Sequence, residues 1–212
     1  MEDLFIAVEG PIGVGKTTLM QAIADAHGLR TQREIVGENP FLADFYVDIP
    51  RWAFQTEMFF LTSRYTQLRD LGEGASGVVA DFHIAKNLVF ARRTLGPVEH
   101  ERLVRVYDVL VEGLPVPDVT VFLDAELPAL RARIAGRGRD FEAPITDRYL
   151  LDLRDDYRDL HEELRAAGAA TVLIDTTDVD VVRDDAARAE VLARVEACAR
   201  TVRPTGTTQE TR

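Results

Sequence analysis

The stretch 9-EGPIGVGKTT-18 concentrates the residues that most clearly could do chemistry. It matches the pattern G-x-x-x-x-G-K-[ST], in which glycines let backbone N–H groups turn inward around an anion. The N-terminus of a following helix adds partial positive charge, the lysine neutralises outer phosphates and the first threonine offers a hydroxyl to Mg²⁺. The sequence therefore predicts a nucleoside triphosphate site at Gly10, Gly13, Gly15, Lys16, Thr17 and Thr18.

The elements around this loop predict how it is positioned. The apolar run 4-LFIAV-8 precedes the loop and is typical of a strand buried on both faces, and helical spacing follows at 17–27. Four further strands are predicted at 30–36 (a short strand that ends near Glu34), 78–82, 119–124 and 170–175. Helices are predicted at 39–46 (with Asn39 as N-cap), 50–71, 84–94, 98–113, 126–136, 147–167 and 184–202. This alternation predicts an α/β fold with a central parallel sheet flanked by helices.

The chain shows no linker or internal repeat, so we expect one domain at 1–202 and a disordered polar tail at 203–212. The arginine-dense stretch 131-RARIAGRGRDFE-142 interrupts the helical periodicity, and we interpret it as a short mobile lid at about 136–146. Arginines that close over a site neutralise phosphate charge and exclude water, which favours a phosphotransferase.

Composition excludes some classes of protein. The 212 residues carry a net charge of −11 and a pI near 4.9, which argues against binding duplex nucleic acid, although a small anionic ligand still fits. No apolar run approaches the ~20 residues of a membrane span. A single cysteine, Cys198, allows no intrachain disulfide, and the acidic start Met1-Glu2-Asp3 does not look like a leader, so we expect a cytoplasmic protein.

Several classes of nucleotide-binding protein remain at this point. A GTPase would usually carry an N-K-x-D motif, which the sequence lacks. In a motor ATPase an acid such as Asp124, after 119-VTVFL-123, would bind the metal, but Asp124 fits better as a helix N-cap.

Longer motifs in the sequence are similar to those of a known family. The chain resembles the deoxynucleoside kinases, in particular the bacterial deoxyguanosine/deoxyadenosine kinases. The motifs are 9-EGPIGVGKTT-18, 34-EIVGENPFLADFY-46, 52-WAFQTEMFFLTSRYTQL-68, 80-ADFHIAKNLVFARRTL-95 and 130-LRARIAGRGRDFE-142. The resemblance implies a P-loop kinase fold and transfer of the γ-phosphoryl of ATP, with Mg²⁺, to the 5′-hydroxyl of a purine 2′-deoxynucleoside, deoxyguanosine before deoxyadenosine. It also implies a homodimer formed through 51–71 and 98–113.

The resemblance also implies roles for individual residues. Glu34 matches the acid near the 5′-hydroxyl that is proposed as general base. Tyr46 and Glu142 match the residues that hold the sugar 3′-hydroxyl. Gln55 matches a glutamine that contacts the base through its amide, which offers one donor and one acceptor. Arg64, on the same predicted helix, either helps to contact the base or pairs with a charge at the surface.

Another group of implied residues follows the strand at 78–82. Asp81 matches an acid near the substrate and Mg²⁺, where Thr17 is also expected. Phe82 and His83 stand where the family has arginine and serine, and we expect Lys86 to replace the lost charge. Asn87 aligns with a residue that contacts the base.

The lid arginines match the family pattern as well. Arg133 and Arg137 are expected to face the triphosphate and the moving phosphoryl group, and Arg139 lies nearby. The segment 175-DTTDVD-180 is expected beside the adenine of ATP, through its backbone.

Two alternatives stay open. A thymidylate-type nucleoside monophosphate kinase would share the loop, the sheet and the lid, but it would need a basic site for the acceptor phosphate, which Glu34 would repel. A nucleotide-binding regulatory protein without catalysis is supported by the loss of arginine at Phe82. The complete set of Lys16, Thr17, Glu34 and the lid arginines counts against it.

Overall fold

A computed structural model describes residues 1–72 and 75–202. The predicted disordered tail at 203–212 lies outside the described residues. Five strands are described: β1 (Phe5–Glu9), β2 (Arg30–Gln32), β3 (Val78–Ala80), β4 (Val119–Asp124) and β5 (Thr171–Asp175). The helices are α1 (Lys16–His27), α2 (Leu42–Val47), α3 (Ile49–Leu71), α4 (Lys86–Thr94), α5 (Pro97–Val111), α6 (Leu127–Arg137), α7 (Asp147–Ala166) and α8 (Asp185–Ala199).

The strands form one sheet in the order β2-β3-β1-β4-β5, and every neighbouring pair is parallel. Ile6 at the centre is in register with Val79 of β3 and Val119 of β4. Successive residues of β1 point to opposite faces: Ile6 packs in the cluster with α1, while Phe5 packs with α3 and α5. Helices therefore cover both faces, which confirms the predicted α/β architecture.

The topology brings polar residues to one edge of the sheet. In open parallel sheets, ligands bind beyond the carboxyl ends of the strands, where the strand order reverses. Here the order reverses around β1, which is followed by the glycine loop. Glu34 follows β2 and Asp81 follows β3 at the same edge.

Two elements differ from their predicted form near the end of β2. Strand β2 stops at Gln32. Beyond it, the backbone N–H of Glu34 donates to the side chain of Asp81 (Oδ1, 2.7 Å) in place of a backbone carbonyl of the neighbouring strand. Asn39 does not cap a helix, since α2 begins at Leu42. Its side chain instead accepts from the N–H of Phe41 at 3.0 Å and donates to the carbonyl of Thr56 at 3.3 Å, so that it ties a turn to α3.

The arginine-dense segment is more regular than predicted. Helix α6 continues through Arg137 and ends at Gly138, which has a left-handed conformation (φ 60°). A 3-10 turn at Asp140–Glu142 then leads to α7, whose N-cap is Thr146. Arg133 and Arg137 therefore lie one turn apart on a helix, and the mobility of a lid at 136–146 stays a prediction. Among the residues described, no helix is both long and apolar enough to span a membrane.

Candidate active site

The glycine loop is shaped by close contacts that only glycine allows. Gly10 and Gly13 have φ values of 143° and 84°, which side chains rarely tolerate. A Cβ at Gly10 would lie 2.4 Å from the carbonyl oxygen of Leu123, and one at Gly13 would lie 2.7 Å from Cγ1 of Ile134. The loop is therefore packed directly against β4 and α6.

Lys16 is held inside this loop. Its ammonium donates to the carbonyls of Gly10 at 2.7 Å and Pro11 at 3.0 Å. Burial, together with the positive charge of Lys86, lowers the pKa of Lys16 to about 8, although nearby carboxylates act in the opposite direction. Phosphate oxygens at the loop would favour the charged ammonium.

Asp81 joins three elements at the edge of the sheet. Its Oδ2 accepts from the hydroxyl of Thr17 at 2.5 Å, and its Oδ1 accepts from the N–H of Glu34. A hydroxyl in contact with a carboxylate is a donor set that suits Mg²⁺, whose remaining ligands at kinase sites are phosphates and water. In the described ranges, no group of three or more His, Cys, Asp or Glu residues is arranged to hold a metal.

Glu34 is the centre of a buried ion cluster. Lys86 Nζ lies 2.8 Å from Oε2, and Arg64 donates to Oε1 through Nε at 3.0 Å and through Nη2. Burial opposes ionisation of the carboxyl, but the charges and hydrogen bonds of Lys86 and Arg64 outweigh it and hold the pKa of Glu34 well below its usual range. Glu34 is therefore ionised and fixed in position.

Two cavities meet at the glycine loop. The larger cavity, about 640 Å³, is lined by the loop, by Arg133 and by residues 176–182. The smaller cavity, about 220 Å³, contains Glu34 and Tyr46. Four residues line both cavities, namely Lys16, Thr17, Arg137 and Arg139. A phosphate bound in the larger cavity and a hydroxyl bound in the smaller one would therefore meet beside the positive charges of Lys16, Arg137 and Arg139.

The smaller cavity has aromatic walls. Tyr46 stacks on Phe141 with ring centroids 6.4 Å apart, and Phe60 and Phe90 also line the space. Glu142 lines the cavity as well, and its carboxylate pairs with Arg137, whose Nε lies 2.8 Å from Oε2. Flat apolar walls with a few fixed polar groups suit a planar base attached to a sugar.

Comparison with known proteins identifies the family. A family model described as deoxynucleoside kinase matches residues 6–200. This chain belongs to the deoxynucleoside kinase family. It is 43% identical over 180 residues to a deoxyguanosine kinase of Bacillus subtilis, and this alignment covers 83% of this chain and 86% of the relative. It is 29% identical over 188 residues to the deoxyadenosine/deoxycytidine kinase of the same organism, covering 85% and 86%.

Solved structures agree on the architecture. A deoxyadenosine kinase from M. mycoides with bound dCTP superposes with a TM-score of 0.80 over 92% of this chain and 100% of that chain, at 21% identity. The fold is therefore the P-loop kinase fold, as predicted. Membership of the family makes this protein a phosphotransferase that acts on deoxynucleosides, and it favours this function over a monophosphate kinase or a regulatory protein without catalysis.

Most of the predicted site residues of this deoxynucleoside kinase are brought together. The smaller cavity is lined by Lys16, Thr17, Glu34, Tyr46, Arg64, Asp81, Lys86, Arg137, Arg139 and Glu142. The larger cavity is lined by Gly13, Gly15, Lys16, Thr17, Thr18, Arg133, Arg137 and Arg139. The segment predicted beside adenine also lines the larger cavity, from Thr176 onward.

Gln55 and Asn87 are not placed at the cavity. Gln55 is exposed on α3. Asn87 is buried, but its amide oxygen accepts from Arg64 at 2.6 Å and its nitrogen donates to the backbone carbonyl of Glu57 at 3.3 Å. The structure therefore does not support contact of either residue with the base, and it gives Asn87 the role of bracing Arg64.

Glu57 lines the smaller cavity and was missed by the sequence reasoning. Two residues along a helix correspond to a rotation of about 200°, so Glu57 faces the opposite side of α3 from Gln55. Glu57, Phe60 and Arg64 follow the spacing i, i+3, i+7, which places them on one face of α3. This spacing around Arg64 was the available signal.

Two arginines also differ from their predicted setting. Arg64 is buried and holds Glu34, so it does not pair with a charge at the surface. Arg133 donates to Thr176 and to the carbonyls of Val14 and Val179, both at 3.2 Å, and it lines only the larger cavity. Arg137, and not Arg133, is therefore the helix α6 arginine at the junction of the cavities.

The departure at Phe82 and His83 has a structural explanation. Phe82 is fully buried in the cluster that contains Leu61 and Leu103, so its side chain points into the core. The N–H of His83 donates to Glu9 at 2.6 Å, and its Nδ1 accepts from the N–H of Ala85. Burial lowers the pKa of His83 to about 4, which keeps it neutral. The cation beside Glu34 comes instead from Lys86, on the first turn of α4.

We predict that Lys86→Met reduces kcat by about 100-fold, because a fixed positive charge beside the reacting groups is lost. The pKa of Glu34 should also rise, since Lys86 contributes the strongest charge that lowers it. On acidification, the variant should therefore lose activity at a higher pH than the unmodified enzyme does. Lys86→Arg, which keeps the charge, is the control. Equal pH profiles for Lys86→Met and the unmodified enzyme would contradict this role.

A second prediction concerns Lys16 and pH. Because the pKa of Lys16 is about 8 before phosphate binds, the Kd for Mg-ATP should be constant below pH 8 and should increase above it, approaching about tenfold per pH unit. Titration calorimetry from pH 7 to 9.5 measures this. Lys16→Arg should bind with little pH dependence, since guanidinium stays charged. A Kd of the unmodified protein that does not change over this range would refute the prediction.

Proposed function

We propose that this enzyme transfers the γ-phosphoryl group of ATP, with Mg²⁺, to the 5′-hydroxyl of a purine 2′-deoxynucleoside, with deoxyguanosine preferred and deoxyadenosine next. The observation that carries the proposal is the fixed Glu34 carboxylate in the smaller cavity, which shares Lys16 and Thr17 with the larger cavity. The choice of purine is supported by the 43% identity to a relative named deoxyguanosine kinase.

The larger cavity suits the phosphate donor. Its glycine loop, Lys16 and Thr18 would hold the triphosphate, and residues 176–182 would surround the adenine. Arg133 braces that segment against the loop. Thr17 and Asp81 would hold Mg²⁺, which supplies neutralising charge to the phosphates.

Glu34 would orient the acceptor. As an ionised carboxylate it can accept a hydrogen bond from the 5′-hydroxyl and point the oxygen at the γ-phosphorus. The new oxygen–phosphorus bond forms as the bond to the bridging oxygen of ADP breaks, and the hydroxyl proton passes to Glu34. A weak base is sufficient, because the hydroxyl needs little activation in a loose transition state. Arg137 and Arg139 would stabilise charge on the moving group.

The sugar would lie against Tyr46 and Glu142. Burial, with the charge of Glu142 beside it, raises the pKa of Tyr46, so its hydroxyl stays protonated and can donate to the 3′-oxygen. The carboxylate of Glu142 can accept a hydrogen bond from the sugar 3′-hydroxyl. Glu142 lies within the segment 136–146 and Tyr46 stacks on Phe141 of that segment, which we propose as a lid on one domain spanning 1–202. We expect the enzyme to work in the cytoplasm.

A substrate panel tests the function. With Mg-ATP, the four deoxynucleosides, the four ribonucleosides and dTMP are assayed for phosphorylation. We expect turnover of deoxyguanosine above deoxyadenosine, and a loss of about 100- to 10,000-fold in Glu34→Gln, which cannot accept the proton. ATP binding by Glu34→Gln is the control for an intact loop. Turnover of dTMP alone, or no turnover with ATP still bound, would reject the proposal.

We also propose a homodimer through α3 and α5. Helix α5 exposes Val98, Val106 and Val109, with 62%, 36% and 70% of their surfaces accessible. Their spacing along α5 places these valines on one side of the helix. We predict that Val109→Asp shifts the protein to a monomer in sedimentation velocity, while Val116→Asp, at an equally exposed valine beyond α5, does not. A monomeric unmodified protein at assay concentrations would refute the dimer.

A further inference from the structure

Four carboxylates line the smaller cavity, and three of them are already paired. Glu34 binds Lys86 and Arg64. Asp81 accepts from Thr17 and from the backbone of Glu34, and Glu142 pairs with Arg137. The fourth carboxylate belongs to Glu57.

The carboxylate of Glu57 makes no hydrogen bond and no ion pair with any residue in 1–72 or 75–202, although only 2% of Glu57 is exposed. A nearly buried carboxyl without a hydrogen-bond donor is unfavourable, because it has lost most of its water and only the charges of Arg64 and Lys86 offset that loss. Its position on a ligand cavity indicates that a ligand supplies the missing hydrogen-bond donors.

The position of Glu57 along α3 indicates which part of the ligand it meets. It precedes Arg64 by seven residues, which is two turns and about 10 Å along the same helix face. Arg64 holds Glu34, where the 5′-hydroxyl is proposed to bind. The base of a nucleoside extends from its 5′-hydroxyl over a similar length, and Phe60 lines the cavity between the two positions in the chain.

We propose that Glu57 selects guanine, because its carboxylate accepts hydrogen bonds from N1–H and from the 2-amino group of the base. A carboxylate has two acceptor oxygens, which match these two adjacent donors. Adenine presents an acceptor at N1 and has no 2-amino group, so it would face the carboxylate with a repulsive lone pair. This inference rests on the proposed purine deoxynucleoside kinase function and names the residue that chooses between purines.

Protonation of Glu57 should alter that choice. Burial raises the pKa of Glu57 to about 8, although the charges of Arg64 and Lys86 oppose this and Glu34 reinforces it. The charge of Glu57 also acts on Tyr46 and Tyr149, whose pKa values it helps to raise. The protonated acid has one donor and one acceptor, which suit N1 and the 6-amino group of adenine. Guanine binds the ionised form, so the preference for deoxyguanosine over deoxyadenosine should increase from pH 6 to pH 8.

Substrate analogues test the proposal on the unmodified enzyme. Deoxyinosine keeps N1–H but lacks the 2-amino group, whereas 7-deazadeoxyguanosine keeps both donors. We expect kcat/KM to fall by about tenfold or more for deoxyinosine, and to stay within about threefold of deoxyguanosine for the 7-deaza analogue. Deoxyinosine used as well as deoxyguanosine would overturn the role of Glu57. Failure to phosphorylate deoxyguanosine at all would instead reject the substrate in the proposed function.

Glu57→Gln provides the second test. The ratio of kcat/KM for deoxyguanosine to that for deoxyadenosine should fall by about tenfold at pH 8 and should lose its dependence on pH, because an amide does not ionise. In this ratio, the effects of Lys16 and Glu34 ionisation cancel, because they change kcat/KM for both substrates. Gln55→Ala, on the exposed side of α3, is the matched control and should keep the ratio and its pH dependence. A Glu57→Gln ratio equal to that of the unmodified enzyme at each pH would refute the proposal, and the analogue series decides where this variant does not fold.

Discussion

The burial of Glu34 between Lys86 and Arg64 is the interaction on which the arrangement of the site depends. The three charged groups come from the segment after β2, from α4 and from α3, and together they fix these elements over the edge of the sheet. Removing one partner from a buried ion cluster leaves an uncompensated charge, which is strongly destabilising. The cluster therefore constrains both the position of the carboxylate and the packing of α3 and α4.

The same cluster explains how the site accommodates a phenylalanine where the family has an arginine. Phe82 contributes to the core between the sheet, α3 and α5. The positive charge is supplied four residues later by Lys86, on the first turn of α4. Asn87, the next residue, orients Arg64 from the other side. In this chain Phe82 therefore serves the core, and Lys86 supplies a positive charge beside Glu34.

Much of the fold could be predicted because its signals are local. The glycine loop and the buried strands of the sheet are fixed by neighbouring residues in the chain, and the predicted strand 119–124 matches β4. The early end of β2 and the turn at Asn39 could not be predicted, because they depend on contacts with Asp81 and Thr56. The exposed position of Gln55 has a different explanation. A motif gives residue order, but which face of α3 meets the cavity is decided by the orientation of the helix.

The pairing of Arg137 with Glu142 links the two cavities. In the structure the guanidinium of Arg137 binds the carboxylate of Glu142, and Arg139 lies 3.7 Å from the same carboxylate. Phosphate oxygens carry more negative charge than one carboxylate, so a triphosphate in the larger cavity competes for Arg137. Glu142, which is buried, would then need another donor, and in the proposed function the sugar 3′-hydroxyl supplies it. Binding of one substrate would in this way prepare the site for the other, because a single buried carboxylate must remain hydrogen-bonded throughout.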